Sequence, residues 1–401
     1  MNDRSGGEYP ALSAFGGLLA VHAHPDDESL ATGGLLATFA AGGQPVCVVT
    51  CTRGERGEVI ARPGTTSEGR EGLEGDGPAL GAYRETELAG ALTRLAGGVA
   101  DAVEHAFLDT LPSSAPQVTG MTAAADRSGE VRYEDSGMAW VAPGVAGPAP
   151  DSPPTAFARV PLDESAGRLA RLVRARRPVV VATYEPGGGY GHPDHVRAHQ
   201  VTVRALELAA DPAWRPDGAG APGGGSEPGG EGAPGGAGAQ GGEGAPDAVV
   251  GRRDEPWAGA ELWQAVSPAA ELREARAALA AMPDAVALAA AEGLTFASPE
   301  HLPPLARHDL TVWSVERQEI GTPGYRSPDV LPITRSGQVV RVQTSGVVER
   351  VVGALRAHAT QVQHATGLAR PEGAVAGWYA LSNDVLTPIL TVETYLAAEI
   401  G

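Results

Sequence analysis

The chain has 401 residues, 42% of them hydrophobic, and a formal net charge of −19. That length can bury an extensive core, and the negative charge argues against a nucleic-acid partner or an anionic membrane surface, since both require a basic face. A neutral or cationic small-molecule substrate fits the charge better. No apolar run reaches about 18 residues and residues 1–16 lack a signal-peptide core, so we expect a cytoplasmic protein with no membrane partner.

Short apolar runs alternate with amphipathic stretches over residues 17–208, a pattern typical of βαβ units. The predicted strands are 17–23, 46–52, 105–108 and 179–184, and the predicted helices are 29–41, 84–95, 162–176 and 195–209. Because these strands are apolar throughout, helices should cover both faces of the sheet. We therefore predict an α/β fold with a mostly parallel sheet flanked by helices. Cys47 and Cys51 share one predicted strand and should be reduced core thiols.

The second half of the chain begins with a change in composition. Residues 211–247 are almost wholly Gly, Ala, Pro and Glu, which bury too little apolar surface to offset chain entropy, so we predict a disordered insert. Beyond it we predict a smaller α+β portion with strands at 260–266 and 309–315, helices at 268–281 and 346–361, and an apolar region at 385–400. The predicted organisation is a catalytic α/β portion (1–210), the insert (211–250) and a C-terminal portion (251–401) that completes the same domain.

Two polar clusters follow predicted strands. One reads His24-Pro25-Asp26-Asp27-Glu28, and the other reads Tyr190-Gly191-His192-Pro193-Asp194-His195. Either cluster alone is ordinary loop chemistry with Asp as a helix cap. However, pockets in parallel sheets form beyond the carboxyl ends of the strands, so the two clusters should meet there. Together they indicate a metal site.

His24, Asp27 and His195 are the predicted metal ligands. Their mixed nitrogen and oxygen donors suit one Zn²⁺ per subunit, with Fe²⁺ as the alternative, and leave coordination positions open for water and substrate. Asp26 adjoins Asp27 but should point elsewhere in so tight a turn, which makes it the predicted general base.

The second cluster also contains the side chains that we predict to donate hydrogen bonds or protons during catalysis. His192 is the predicted donor to the leaving amine or to the developing oxyanion, with Asp194 fixing its orientation and Tyr190 adding a hydrogen bond. The remaining candidates have structural interpretations: Glu28 is predicted as a first-turn helix residue, and His358 lacks metal-type spacing.

These motifs resemble those of the LmbE-like (PIG-L) zinc deacetylases, whose mark is a His-Pro-Asp-Asp-Glu turn after the first strand and a later His-Pro-Asp-His. Within that family the chain is most similar to the deacetylases of mycothiol biosynthesis. The stretches that carry the resemblance are 21–30, 49–60, 135–138, 183–199, 357–362 and 380–384.

The resemblance implies a Rossmann-like fold and zinc-dependent hydrolysis of the acetamide of N-acetylglucosaminyl-inositol to the free amine and acetate. It also implies sugar and inositol recognition by Arg84 and Asp135, although Arg84 could equally be a surface charge at a helix start. One alternative is a mycothiol S-conjugate amidase, whose second motif usually differs from Gly189-Tyr190-Gly191-His192. The other is a metal-bound sugar-binding protein without turnover. No oligomeric state is predicted.

Overall fold

The computed structural model describes residues 16–112, 132–142, 144–216, 255–302, 318–320 and 339–398. Of the predicted insert at 211–250, only residues 211–216 are described. The predicted strand at 309–315 also lies outside the described residues.

Strands and helices alternate through the first half of the chain, and strands dominate the end. The strands are β1 (Leu18–His22), β2 (Val46–Thr50), β3 (Val103–Phe107), β4 (Met138–Ala142), β5 (Val145–Pro148), β6 (Val180–Tyr184), β7 (Glu261–Val266), β8 (Thr295–Phe296), β9 (Gln318–Ile320), β10 (Val339–Gln343), β11 (Gln363–Glu372), β12 (Val375–Ala380), β13 (Val385–Leu390) and β14 (Val392–Ala398). The helices are α1 (Asp27–Ala31), α2 (Gly33–Ala41), α3 (Gly77–Leu95), α4 (Leu162–Arg176), the single turn α5 (Gly188–Gly191), α6 (Pro193–Ala210), α7 (Ala269–Ala281), α8 (Pro283–Glu292) and α9 (Val348–Ala357).

A mixed sheet of eight strands organises the molecule, in the order β3-β2-β1-β6-β7-β14-β10-β9. The five strands from β3 to β7 are mutually parallel, whereas β14 is antiparallel to both of its neighbours. The predicted mostly parallel sheet is thereby confirmed. Because Ala20 of β1 lies opposite Ala182 of β6, the carboxyl ends of these two strands reach the same edge of the sheet.

The C-terminal portion both extends this sheet and builds a second layer. It contributes β7, β14, β10 and β9 to the large sheet, and β11, β12, β13 and β8 form a separate four-stranded sheet. The hairpin of β4 and β5 stands apart as a two-stranded unit. None of the described helices is long and apolar enough to cross a membrane.

Apolar side chains cover both faces of the large sheet, as predicted. Leu18 and Ala20 of β1 pack in one core with residues of α2, α3 and α9. Leu19 and Val21 point to the opposite face and pack with residues of α4 and α6. This alternation follows from the two-residue period of a strand, and it keeps β1 apolar up to His22 at its carboxyl end.

Several predicted boundaries differ from the observed ones for local reasons. The predicted helix at 29–41 is divided at Thr32 into α1 and α2. Helix α3 begins at Gly77 instead of residue 84, because the Asp76 side chain caps it by accepting from the Ala79 N–H and Pro78 starts its first turn. The predicted helix at 346–361 ends at Ala357. Helix α8 and the β4–β5 hairpin were not predicted.

Candidate active site

The two polar clusters meet at the shared edge of β1 and β6. One carboxylate oxygen, Oδ2 of Asp27, lies 3.3 Å from Nδ1 of His24 and 3.4 Å from Nε2 of His195. Two donors held at about 2.0–2.1 Å from one tetrahedral Zn²⁺ lie about 3.3 Å apart. Each of these two separations matches one donor–donor edge of such a sphere, whereas the three side chains together are not a group whose ligand atoms all lie within 4.8 Å of one another in the described structure.

Each of the two histidines has its second ring nitrogen occupied. His195 Nδ1 lies 3.0 Å from the carbonyl oxygen of Gly188, and its Nε2 is buried with no hydrogen-bond partner in the described structure. His24 Nε2 lies 3.2 Å from Oδ2 of Asp194. Partners on the far side of the ring fix the tautomer of a metal-binding histidine, so the orphaned nitrogen of His195 has the arrangement expected of a ligand.

Two groups of side chains in the described part of the chain could hold an ion as they stand, and neither contains Asp27. In one, His24, His192 and His195 bring ligand atoms within 4.8 Å of one another, and in the other His24 does so with Asp135 and Asp194. Asp194 is already engaged, however, because its carboxylate accepts from the backbone N–H and the hydroxyl of Ser136. The Asp27 carboxylate is the group that joins both histidines.

The site is strongly negative. Although burial opposes protonation of His24, the carboxylates of Asp135, Asp194 and Asp27 raise its pKa well above the usual value. Burial likewise opposes ionisation of Asp27, but His195 and His24 hold the pKa of that carboxyl well below its usual range. A pocket in which carboxylates outnumber cations favours a bound divalent cation.

Asp26 occupies a conformation that few residues adopt. It is the N-cap of α1, with a φ of 113°, in the region that favours glycine. Its Oδ1 lies 3.3 Å from Nη2 of Arg84. Burial raises the pKa of Asp26 to about 6, while the Arg84 guanidinium acts in the opposite direction. Asp26 is therefore a carboxylate whose proton affinity suits exchange near neutral pH.

Arg84 lies in the interior of α3 and is only 3% exposed, so it is not a surface charge at a helix start. Its guanidinium donates to the carbonyl oxygens of Gly54 and Pro25 and pairs with Asp26. A Cβ at residue 54 would lie 1.9 Å from Arg84 Nη1, so this approach requires glycine. The observed contacts tie Arg84 to the His24–Glu28 turn, and its substrate-binding role stays a prediction.

His192 and Asp194 interact differently from the prediction. The Asp194 carboxylate points to His24 and Ser136, so it does not orient the His192 ring as we predicted. The backbone N–H of Asp194 instead donates to Nδ1 of His192, with a separation of 3.2 Å. Burial, reinforced by His24 and His195, lowers the pKa of His192 to about 2. A neutral ring that accepts at Nδ1 carries its proton on Nε2, which makes Nε2 a donor.

Tyr190 and Asp135 line the same cavity as the two clusters. The centroid of the Tyr190 ring lies 5.2 Å from that of His195, and burial raises the pKa of its phenol, which stays neutral. Asp135 Oδ1 lies 3.6 Å from His24 Nε2 and accepts from the N–H of Gly137. The structure thus brings every predicted site residue to one place.

Two contributions to the site were missed in the sequence. Tyr184 stacks on His195 with ring centroids 4.3 Å apart, and its hydroxyl accepts from the backbone N–H of Ala23. Its position at the carboxyl end of β6 was the available signal. Glu28 forms a buried ion pair with His358 across 330 positions of the chain, for which no local signal exists.

The cavity beside these residues has a volume of about 1300 Å³ and extends beyond the two clusters. Its far wall is built by the C-terminal portion, including Arg276, Tyr379 and Asn383. A substrate considerably larger than an acetamide group can therefore be enclosed between the two halves of the chain.

A mostly parallel α/β sheet with a buried His/Asp cluster at its carboxyl edge is the arrangement expected of a metal-dependent hydrolase. Residues 19–206 match the sequence profile of the PIG-L family, described as GlcNAc-PI de-N-acetylase. A protein of Rhodococcus erythropolis named 1D-myo-inositol 2-acetamido-2-deoxy-alpha-D-glucopyranoside deacetylase is 33% identical over 381 residues, covering 95% of this chain and 90% of the relative. The chain therefore belongs to the PIG-L family of deacetylases.

Other relatives are more identical to this chain over a shorter stretch. Proteins of the same name are 45% identical over 205 residues in Kineococcus radiotolerans and 46% identical over 200 residues in Streptomyces scabiei. These matches cover 51% and 50% of this chain, and 48% and 51% of the relatives, so they span about half of either protein. Among solved structures, N,N'-diacetylchitobiose deacetylase from Pyrococcus horikoshii is similar with a TM-score of 0.31 and 20% identity, covering 51% of this chain and 57% of that one.

Proposed function

We propose that this protein hydrolyses the N-acetyl group of 1D-myo-inosityl 2-acetamido-2-deoxy-alpha-D-glucopyranoside, N-acetylglucosaminyl-inositol, to the free amine and acetate. The observation that carries the proposal is the approach of the Asp27 carboxylate to both His24 and His195, with Asp26 next to Asp27 in the same turn. The Rhodococcus relative, similar over 95% of the chain, supports the substrate. We further propose that the reaction takes place in the cytoplasm and requires neither a nucleic acid nor a membrane.

His24, Asp27 and His195 would hold one Zn²⁺ per subunit, with Fe²⁺ as the alternative metal. Two imidazole nitrogens and a carboxylate suit either ion and leave room for further ligands. When bound, such an ion supplies Lewis acidity, which lowers the pKa of water to about 7.

Asp26 is the proposed general base. Its carboxylate accepts the proton of the attacking water, and because its pKa lies at about 6 it can later return that proton to the departing amine. Nη2 of Arg84 lies 3.3 Å from this carboxylate and keeps it in place. The same group can therefore serve both proton transfers.

His192 is the proposed donor to the developing oxyanion. With Nδ1 occupied by the Asp194 N–H, the neutral ring offers Nε2–H to the acetyl oxygen. Of the two roles predicted for His192, this one agrees better with a pKa lowered to about 2, at which the ring has no extra proton to release. Tyr190 is placed to add a second hydrogen bond, and Asp135 to accept from substrate hydroxyl groups.

Purified protein is expected to release acetate and free amine from N-acetylglucosaminyl-inositol, and to stop after treatment with a chelator until Zn²⁺ is restored. Release should be followed by amine derivatisation and compared with that from a mycothiol S-conjugate under the same conditions. A strong preference for the conjugate would identify an amidase instead. Binding of the sugar without any release would identify a non-catalytic binding protein.

Metal content provides a test that does not depend on turnover. We expect about one Zn²⁺ per chain, and we expect His195→Ala to weaken zinc binding by more than the 10- to 100-fold typical of losing an outer hydrogen-bond partner. His199→Ala is the matched control, since this buried histidine lies one turn further along α6 and bonds to the carbonyl oxygen of Tyr184. Equal zinc content in both variants would contradict the ligand assignment.

A further inference from the structure

The backbone of Asp26 needs an external restraint. A φ of 113° is unfavourable for a residue with a side chain and persists only where the surroundings hold it. The N–H of the peptide that precedes this residue donates to the Glu28 side chain. Any relaxation of this peptide would rotate the carboxylate that is proposed to act as the base.

Glu28 supplies that restraint. Its Oε2 accepts from the Asp26 N–H with a separation of 2.9 Å, and its Oε1 accepts from the Ser29 hydroxyl. The side chain is completely buried. A buried carboxylate is retained in its ionised form only when a cation and hydrogen bonds compensate it, so the hold on Asp26 depends on what faces Glu28.

The compensating group comes from the far end of the chain. His358 is also completely buried, and its Nε2 lies 2.7 Å from Oε1 of Glu28. The two buried side chains therefore form a closed hydrogen-bonded pair directly behind the turn that carries Asp26.

The segment that carries His358 is itself fastened to the N-terminal half. After α9 ends, the backbone N–H and the hydroxyl of Thr360 donate to the carboxylate of Glu87 on α3. Glu87 lies one turn beyond Arg84, whose guanidinium pairs with Asp26. Asp26 is thus held twice: Glu28 bonds to its backbone N–H, and Arg84 contacts its carboxylate.

We propose that Glu28 and His358 are positioning residues for catalysis: His358 holds Glu28, and Glu28 holds the Asp26 backbone so that its carboxylate faces the cavity. This assignment rests on the proposed function of Asp26. It gives the segment at 357–362, which carries part of the family resemblance, a role that neither metal binding nor substrate contact requires.

The test compares His358→Gln and Glu28→Ala with Glu28→Gln in the full-length, zinc-loaded protein. A displacement of a reacting group by about 1 Å can cost on the order of 10²-fold in rate, so the first two variants should lose about that much kcat with KM and zinc content unchanged. Glu28→Gln should recover part of the loss, because its amide oxygen still accepts from the Asp26 N–H.

His364→Gln is the matched control, because this histidine lies just beyond that segment, on β11, and no hydrogen bond or ion pair of the described structure joins it to Glu28. Rates are expressed per folded, zinc-loaded chain, and Glu28→Gln decides the question if His358→Gln does not fold. Wild-type kcat in both Glu28 variants, or a loss that only follows zinc content, would overturn the proposal. Absence of acetate release by the wild-type protein would instead refute the proposed function.

Discussion

Replacing Asp26 with Asn is expected to lower kcat for acetate release by about 10²- to 10⁴-fold, the range that a positioned general base contributes. The amide keeps the size of the side chain and can still contact Arg84, but it cannot accept a proton. Zinc content should be unchanged, because Asp26 is not among the three side chains whose donor atoms converge. Steady-state kinetics and metal analysis of the same preparation measure the two effects.

Asp163→Asn is a suitable control for this substitution. Its carboxylate pairs with Arg204 on the surface, where the side chain is 70% exposed, so the same chemical change should leave kcat unaffected. If Asp26→Asn released acetate at the wild-type rate, the assignment of Asp26 as the base would be refuted. A parallel loss of zinc would show instead that Asp26 helps to hold the metal.

Trp263→Ala is expected to lower the free energy of unfolding by about 3–5 kcal/mol, as is usual for truncating a buried aromatic side chain. Trp263 is completely buried in the core that contains β1 and β2, and its ring lies 6.0 Å from that of Tyr395. It comes from β7, after the predicted insert, yet it packs with residues of the first half. Urea denaturation followed by fluorescence and by far-UV circular dichroism measures the loss.

This experiment also tests the proposal that residues 251–401 complete the same domain as residues 1–210. One domain requires both probes to report a single shifted transition, whereas a second transition that keeps the wild-type midpoint would indicate two independent units. Trp140→Ala is the matched control, because this tryptophan is 59% exposed on the β4–β5 hairpin. Its effect on stability should stay within about 0.5 kcal/mol.

Elements with a regular spacing of apolar residues were predicted accurately, and elements without it were not. Helix α4 has the predicted bounds, because its apolar residues recur every three or four positions between charged ones. The strands β11, β12 and β13 were predicted only as part of an apolar region or not at all. Their pairing includes register shifts, so the alternation that reveals an ordinary half-buried strand is interrupted.

The parts of the site that nearby strands position could be predicted from the sequence. His24 and Asp27 come directly after β1, and His195 lies in the first turn of α6 beyond β6, so the parallel pairing of β1 with β6 places all three at one edge of the sheet. The direction of a side chain within a loop is different: Asp194 turns toward His24 because Ser136, from a distant segment, accommodates its carboxylate. His358 could not be assigned either, since its place depends on the docking of α9 against α3.

The position of β14 has a consequence for how the protein forms. This strand lies between β7 and β10, and it hydrogen-bonds to both, although both precede it in the chain. Until residues 392–398 have left the ribosome, β7 and β10 each present an unpaired edge, the kind of surface that recruits other chains. The N-terminal half must therefore persist during synthesis with an unfinished sheet, and premature termination within this stretch is expected to yield aggregation-prone products.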